Sequence, residues 1–144
     1  MTFADTVRFL FSLGPELKHV KWDLARVSAL LSELGNPEQR TRFIHVAGTN
    51  GKGSTCSMIA SALRVAGYRT GLYTSPHLVD PRERIQIDGR CISEEEWTGA
   101  FQEVHEAAER LLAREAVDAH PSFFETVTVM AFLAFARAGV EVAA

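Results

Sequence analysis

Residues 43–55 read Phe-Ile-His-Val-Ala-Gly-Thr-Asn-Gly-Lys-Gly-Ser-Thr. A β-branched, apolar run carrying Ile44 and Val46 stops at three glycines, Gly48, Gly51 and Gly53, set around Lys52. Beyond it Met58, Ile59, Ala62, Leu63 and Ala66 recur at spacings of three and four, the period of a helix. Strand, glycine loop, lysine and helix are the layout of a phosphate cradle. Glycines let the backbone turn and approach an anion closely, and the unpaired N–H groups of a helix start aim at it. Lys52 adds a mobile positive charge for β- and γ-phosphates. The general P-loop pattern is G-x-x-x-x-G-K-[ST]. Here Val46 stands where its first glycine belongs and Gly53 follows the lysine, so the hydroxyls come one and two places later, at Ser54 and Thr55. The competing reading is a hairpin turn, because Asn50-Gly51 is a favoured turn pair. A two-residue hairpin needs an alternating strand straight afterwards, and Lys-Gly-Ser-Thr-Cys-Ser is not one.

Outward from the loop, the spacing predicts a strand over 68–74 once Gly67 has closed the helix. A helix between two such strands makes a βαβ unit, so both strands should be parallel and neighbouring. Thr74-Ser75-Pro76-His77 falls at the carboxyl end of the second strand, the edge at which open α/β sheets bind ligands. Ser75 there is either a plain Ser-Pro turn or an oxygen ligand for Mg²⁺, which the loop lacks directly after its lysine. Residues 84–88 alternate and end at Asp88-Gly89, predicting a small antiparallel excursion outside the main sheet.

Upstream, residues 5–13 read as a short helix stopped by Gly14-Pro15, and a second helix begins near Asp23 and ends at Gly35-Asn36-Pro37. Downstream, Ser93-Glu94-Glu95-Glu96 is a capping box opening a helix to about Arg114. Ser122 and Glu125 form a second box at the start of a helix that is apolar nearly all round and should be buried. Glu125 is then either a cap or, at the mouth of a buried helix, a metal ligand. After Ala138-Gly139, residues 140–144 begin another strand, which should be central and strongly apolar. The chain is expected to be a fragment of a longer protein.

The totals fit one α/β domain. With 47% of its 144 residues hydrophobic, the chain has material for a sizeable core. A net charge of -3 without Lys/Arg clusters leaves no basic surface for a nucleic-acid backbone. Cys56 and Cys91 have no metal or redox spacing and are expected to be reduced, buried thiols. No export signal is evident, and the longest apolar stretch, 127–136, is too short to span a bilayer, so the expectation is a soluble, cytoplasmic protein.

Taken together, Val-Ala-Gly-Thr-Asn-Gly-Lys-Gly-Ser (46–54), Thr-Ser-Pro-His (74–77), Glu-Arg-Ile (83–85) and Phe-Phe-Glu (123–125) resemble the folylpolyglutamate synthase/dihydrofolate synthase family, within the Mur-type amide ligases. The resemblance runs from about Asp23 to the end. It implies a P-loop-type, mostly parallel sheet flanked by helices, with residues 1–144 forming the N-terminal part of the ATP-binding domain and lacking the C-terminal glutamate-binding domain. It also implies an ATP- and Mg²⁺-dependent ligase that joins L-glutamate to dihydropteroate or a (tetrahydro)folate through an acyl phosphate. On that basis Gly48, Thr49, Asn50, Gly51, Lys52, Gly53, Ser54 and Thr55 hold the triphosphate, with Lys52 catalytic, and Ser75 and Glu125 ligate Mg²⁺. Asp23, Leu24, Ala25, His77, Ile92, Ser93, Glu94 and Glu95 would line the pterin side, although the family more often has Leu-Gly where Leu24-Ala25 stands.

The resemblance implies small-molecule partners (pterin or folate, L-glutamate and ATP) and neither nucleic acid nor membrane; it leaves oligomeric state open. A further metal-binding histidine and a modified lysine of the family are absent from these residues, so the chain alone is expected to bind nucleotide without completing the reaction. Two alternatives stay open: a ligase of peptidoglycan precursors, against which Gly53 and Thr-Ser-Pro-His argue, and a non-catalytic nucleotide-binding module.

Overall fold

The computed structural model describes residues 1–13 and 24–144. Its helices form where local signals place them. Helix α1 (Phe3–Ser12) opens on a Thr2/Asp5 capping box, and α2 (Ala25–Glu33) ends where Gly35 and Asn36 both take positive φ. Asp23, near which α2 is expected to begin, lies outside the described residues, as does the expected Gly14-Pro15 stop of α1. The glycine loop follows strand β1 (Arg42–Phe43) and leads into α3 (Lys52–Val65), after which the chain forms β2 (Thr70–Tyr73). Strands β3 (Ile85–Ile87) and β4 (Arg90–Cys91) turn at Asp88-Gly89, where both residues have positive φ as a tight hairpin requires. Helix α4 (Glu94–Ala113) starts at the expected Ser93/Glu96 box, α5 (Phe123–Arg137) at Ser122, and β5 (Val142–Ala143) closes the order. Among the described residues, no helix is long and apolar enough to cross a membrane.

The strand order is β1-β5-β2-β3-β4. β1 and β2 each pair in parallel with β5, so they are parallel to each other but not neighbours, which corrects the expectation of an adjacent pair. Apolar β5 takes the place between them because a strand flanked on both sides and covered by helices belongs at the dry centre of the sheet. The hairpin also belongs to this sheet: β3 runs antiparallel on β2, with Tyr73 opposite Ile85 and Gly71 opposite Ile87. Its backbone satisfies the free edge of β2, which a separate excursion would have left unpaired.

Successive residues of a strand face opposite sides. On β2, a Cβ at Gly71 would meet the ring of Phe135 from α5, so α5 lies on that face. Leu72 points the other way, toward the face that α3 covers with Ala60 and Ser61. The core is on the α5 side, where Leu10, Leu30, Trp97, Phe101, Val104, Leu111, Val127 and Met130 are buried together. Nine of the fifteen residues of α5 are buried, as its all-round apolar sequence predicts. Helix α3 differs. Cys56 is its one buried residue, and Met58 and Val65 are 65% and 85% exposed. Cys91 is exposed as well, against the expectation of two buried thiols, because the edge strand β4 turns it to solvent.

Candidate functional site

β1, β5 and β2 are parallel, so the loop after β1 and the segment after β2 leave the sheet at the same edge, one strand apart. Helix α5 returns the chain to the start of β5, which places its own N-terminus at that edge too. The Tyr73 hydroxyl lies 2.8 Å from Thr128 Oγ1, fixing the end of β2 against the second turn of α5. Lys52, Ser75 and Glu125, far apart in sequence, therefore share one rim of the sheet.

The loop from Gly48 to Gly51 is exposed. Gly51 caps α3 at φ 77°, in the left-handed region that a side chain would strain, and no side chain caps the helix. The first bond beyond it runs from Thr55 N–H to the Gly51 carbonyl. The N–H groups of Lys52, Gly53 and Ser54 thus precede the helical ladder and face outward, at the positive end of the helix dipole. A Cβ at Gly48, Gly51 or Gly53 would meet no atom within 4 Å, so the space beside them is open. Lys52 Nζ donates to the carbonyls of Gly48 and Thr49, holding its ammonium inside the turn. An anion in this loop would meet backbone donors and a cation together.

Ser75 is exposed, and the next residues are tied down by one carboxylate. Glu83 accepts hydrogen bonds from the N–H groups of Leu78, Val79 and Asp80, at 2.8–3.0 Å. These bonds, Leu78's foremost, hold the Glu83 carboxyl below the ordinary glutamate range. His77 Nδ1 accepts from Arg84 Nε at 2.9 Å, and the buried Arg84 guanidinium lies over the Phe123 ring at the start of α5. His77 is thereby held beside the first turn of α5.

Glu125 does not complete a capping box. The Ser122 hydroxyl accepts from Glu125 N–H at 3.2 Å, but the reciprocal carboxylate bond is missing. The carboxylate turns instead to Arg26, with Oε1 3.0 Å from Nη2 and both side chains about 85% buried (13% and 15% exposed). Its second oxygen, Oε2, is buried with no hydrogen-bond partner among the described residues. Such an oxygen costs about 1–3 kcal/mol unless something fills its coordination, and a hard cation such as Mg²⁺ does so. The residues fit a Mg²⁺ ligand. Arg26 was missed by sequence reading, since an arginine 99 positions away carries no local signal toward Glu125.

Of the positions expected on the pterin side, Leu24 and Ala25 start α2 next to Arg26, so they lie near Glu125 and are exposed. Asp23 is outside the described residues. β4 runs parallel to β2, so 92–95 emerge at the same edge but two strands further out. Within that stretch Ile92 is core, Ser93 and Glu96 exchange cap bonds at 3.0 and 2.7 Å, and Glu94 and Glu95 are exposed.

Known proteins sharing this arrangement settle its ancestry. No family model matches the chain. A probable bifunctional folylpolyglutamate synthase/dihydropteroate synthase of Haloferax volcanii is 44% identical over 144 residues, covering 99% of this chain and 16% of that protein. A dihydrofolate synthase/folylpolyglutamate synthase of Bacillus subtilis is 45% identical over 118 residues, 82% of this chain and 27% of that protein. The chain is a homologue of the folylpolyglutamate synthase/dihydrofolate synthase family. The fold agrees: a Mycobacterium tuberculosis folylpolyglutamate synthase complexed with ADP superposes with a TM-score of 0.89 at 36% identity, over 98% of this chain and 31% of that one. The chain thus spans about a sixth to a third of the length of these folylpolyglutamate synthase relatives.

Proposed function

We propose that this chain supplies the nucleotide-binding part of an ATP-dependent ligase that joins L-glutamate to a folate-type carboxylate, dihydropteroate or a reduced folate. The observation that carries the reading is the glycine loop itself. Open backbone N–H groups at the start of α3, the Lys52 ammonium and unobstructed space beside the glycines stand at one sheet edge with Ser75 and Glu125. Solved relatives named as complexes with ADP, or with AMPPCP and folate, support the same choice of ligands.

In this reading residues 48–55 hold the triphosphate, and Ser75 and Glu125 hold Mg²⁺, which neutralises phosphate charge when bound. Phosphoryl transfer asks a protein chiefly for positioning and charge stabilisation. Lys52 and the N–H groups of α3 face the charge that grows on the transferred phosphoryl group. The substrate carboxylate takes that group, ADP leaves, and the amine of glutamate then displaces phosphate to form the amide. Leu24 and Ala25, next to Arg26, and His77, beside Phe123, fit the folate side; Ser93, Glu94 and Glu95 are its more distant candidates.

The test is calorimetric binding of Mg-ATP to this chain beside Lys52→Ala. The expected result is saturable, Mg²⁺-dependent binding weakened about 10- to 100-fold by the substitution, the equivalent of one charge-assisted contact of about 1.5–3 kcal/mol. Lys52 is exposed, so the variant should keep the wild-type circular dichroism spectrum. Equal binding by both folded chains would remove Lys52 from the phosphate site.

A further inference from the structure

Between α4 and the segment leading to α5, three side chains that the proposed ligase reaction does not use converge. His105 and Glu109 are one turn apart on α4, and His120 comes from the segment joining α4 to α5. Glu109 Oε1 lies 3.7 Å from His105 Nε2 and 3.1 Å from His120 Nε2. One donor atom from each residue falls within 4.8 Å of the others. The two imidazoles stack with centroids 5.8 Å apart and planes 5° apart, so both present Nε2 toward the same carboxylate oxygen.

The rings are held in that pose from behind. Phe9 sets its edge against His105 at 4.9 Å and His120 at 6.1 Å, and Phe101 stacks on His105 at 5.5 Å. The nearest cations of α4 do not compete for Glu109, because Arg110 and Arg114 both reach Glu33, at 2.9 and 2.7 Å. The side chains are 24%, 55% and 37% exposed for His105, Glu109 and His120, enough for an ion to enter from solvent.

We propose that His105, Glu109 and His120 bind a divalent transition cation of the Zn²⁺ class. A tetrahedral ion with ligands at about 2.0–2.2 Å separates its donor atoms by about 3.3–3.6 Å. The separations of 3.1 and 3.7 Å from Glu109 bracket that span, and the two imidazole nitrogens lie within 4.8 Å of each other, so side-chain rotations inward on the ion would complete the set. Two imidazole nitrogens and one carboxylate oxygen suit Zn²⁺, whereas Mg²⁺ prefers oxygen donors and retained water. The ion's role here is to tether. His120 precedes the Ser122 cap of α5, and its carbonyl faces Arg26 Nη1 at 3.5 Å while Nη2 of the same arginine holds Glu125. An ion at His120 would pin the segment that sets the start of α5.

The experiment is calorimetric titration of the chelator-treated chain with Zn²⁺, in excess Mg²⁺ and without nucleotide, beside His105→Gln, His120→Asn and, as a control outside the cluster, the exposed His45→Gln. The expected result is one Zn²⁺ per chain, weakened at least tenfold by His105→Gln or His120→Asn and unchanged by His45→Gln. In the unsubstituted chain, Zn²⁺ should also protect His105 and His120, but not the exposed His45, from acylation by diethyl pyrocarbonate mapped by mass spectrometry. Absence of saturable Zn²⁺ binding, binding unchanged by both His105→Gln and His120→Asn, or equal acylation with and without Zn²⁺ would overturn the proposal.

Discussion

Glu125 has one carboxylate oxygen on Arg26 and the other buried without a hydrogen-bond partner among the described residues. Read from the sequence, the same residue could serve as a helix cap, and the Ser122 hydroxyl does accept from its N–H. What the sequence could not reveal is where the carboxylate goes, because that depends on Arg26 arriving from another helix. Removing the arginine leaves a largely buried charge uncompensated. Breaking a fully buried pair costs about 3–5 kcal/mol, and here some exposure remains, so Arg26→Met should lower unfolding stability by about 2 kcal/mol. Denaturant unfolding of Arg26→Met and of Arg26→Met/Glu125→Gln checks this, with the double variant recovering part of the loss. A midpoint equal to the wild type in the single variant would show that the pair contributes nothing.

At the scale of elements, the segment after β2 is shaped by three backbone bonds to Glu83, a residue that reads in the sequence only as the first letter of Glu-Arg-Ile. Because those bonds depress the Glu83 pKa in the folded chain, their contribution is present in full above the ordinary glutamate pKa of about 4.3. It is lost as pH falls through the lower, folded value, the direction expected of a carboxylate that accepts hydrogen bonds. Protection of the Leu78, Val79 and Asp80 amides, taken relative to their intrinsic exchange at each pH, should therefore fall on acidification below about pH 4, before global unfolding. Glu83→Gln should show the lower protection already at neutral pH. Protection that persists in that variant would mean the loop is held by other contacts. Helix α4 needed no such long-range help: its Ser93/Glu96 box opens it where the sequence places it, and its end at Ala113 falls one residue from the expected Arg114.

For the whole molecule, the decisive feature is the insertion of β5 between β1 and β2, which packs α5 under the middle of the sheet. Gly71 marks how closely that layer approaches. A Cβ there would lie 2.8 Å from a Phe135 ring carbon and 3.0 Å from the Ala143 Cβ. Neither neighbour can withdraw easily, one being a buried ring and the other a short side chain on the adjacent strand. Gly71→Ala should destabilise the chain by about 1–3 kcal/mol through overpacking, read as a lower thermal midpoint. An unchanged midpoint would mean that α5 can slide away from the sheet.

Residues within a turn of one another determined much of this protein in advance. The glycine loop and its helix, the Asp88-Gly89 turn, the Ser93 cap and the apolar body of α5 all rest on hydrogen bonds or periodicities spanning a few positions, so they are written in any short window of sequence. Tertiary structure decided the rest. Which strand β5 joins, whether the β3–β4 hairpin enters the sheet and which cation Glu125 meets depend on partners 12 to 100 residues distant. Ladder hydrogen bonds are chemically alike on every strand, and a charge accepts any opposite charge within reach. Local sequence therefore sets the capacity to pair, and the packing of the layers chooses the partner.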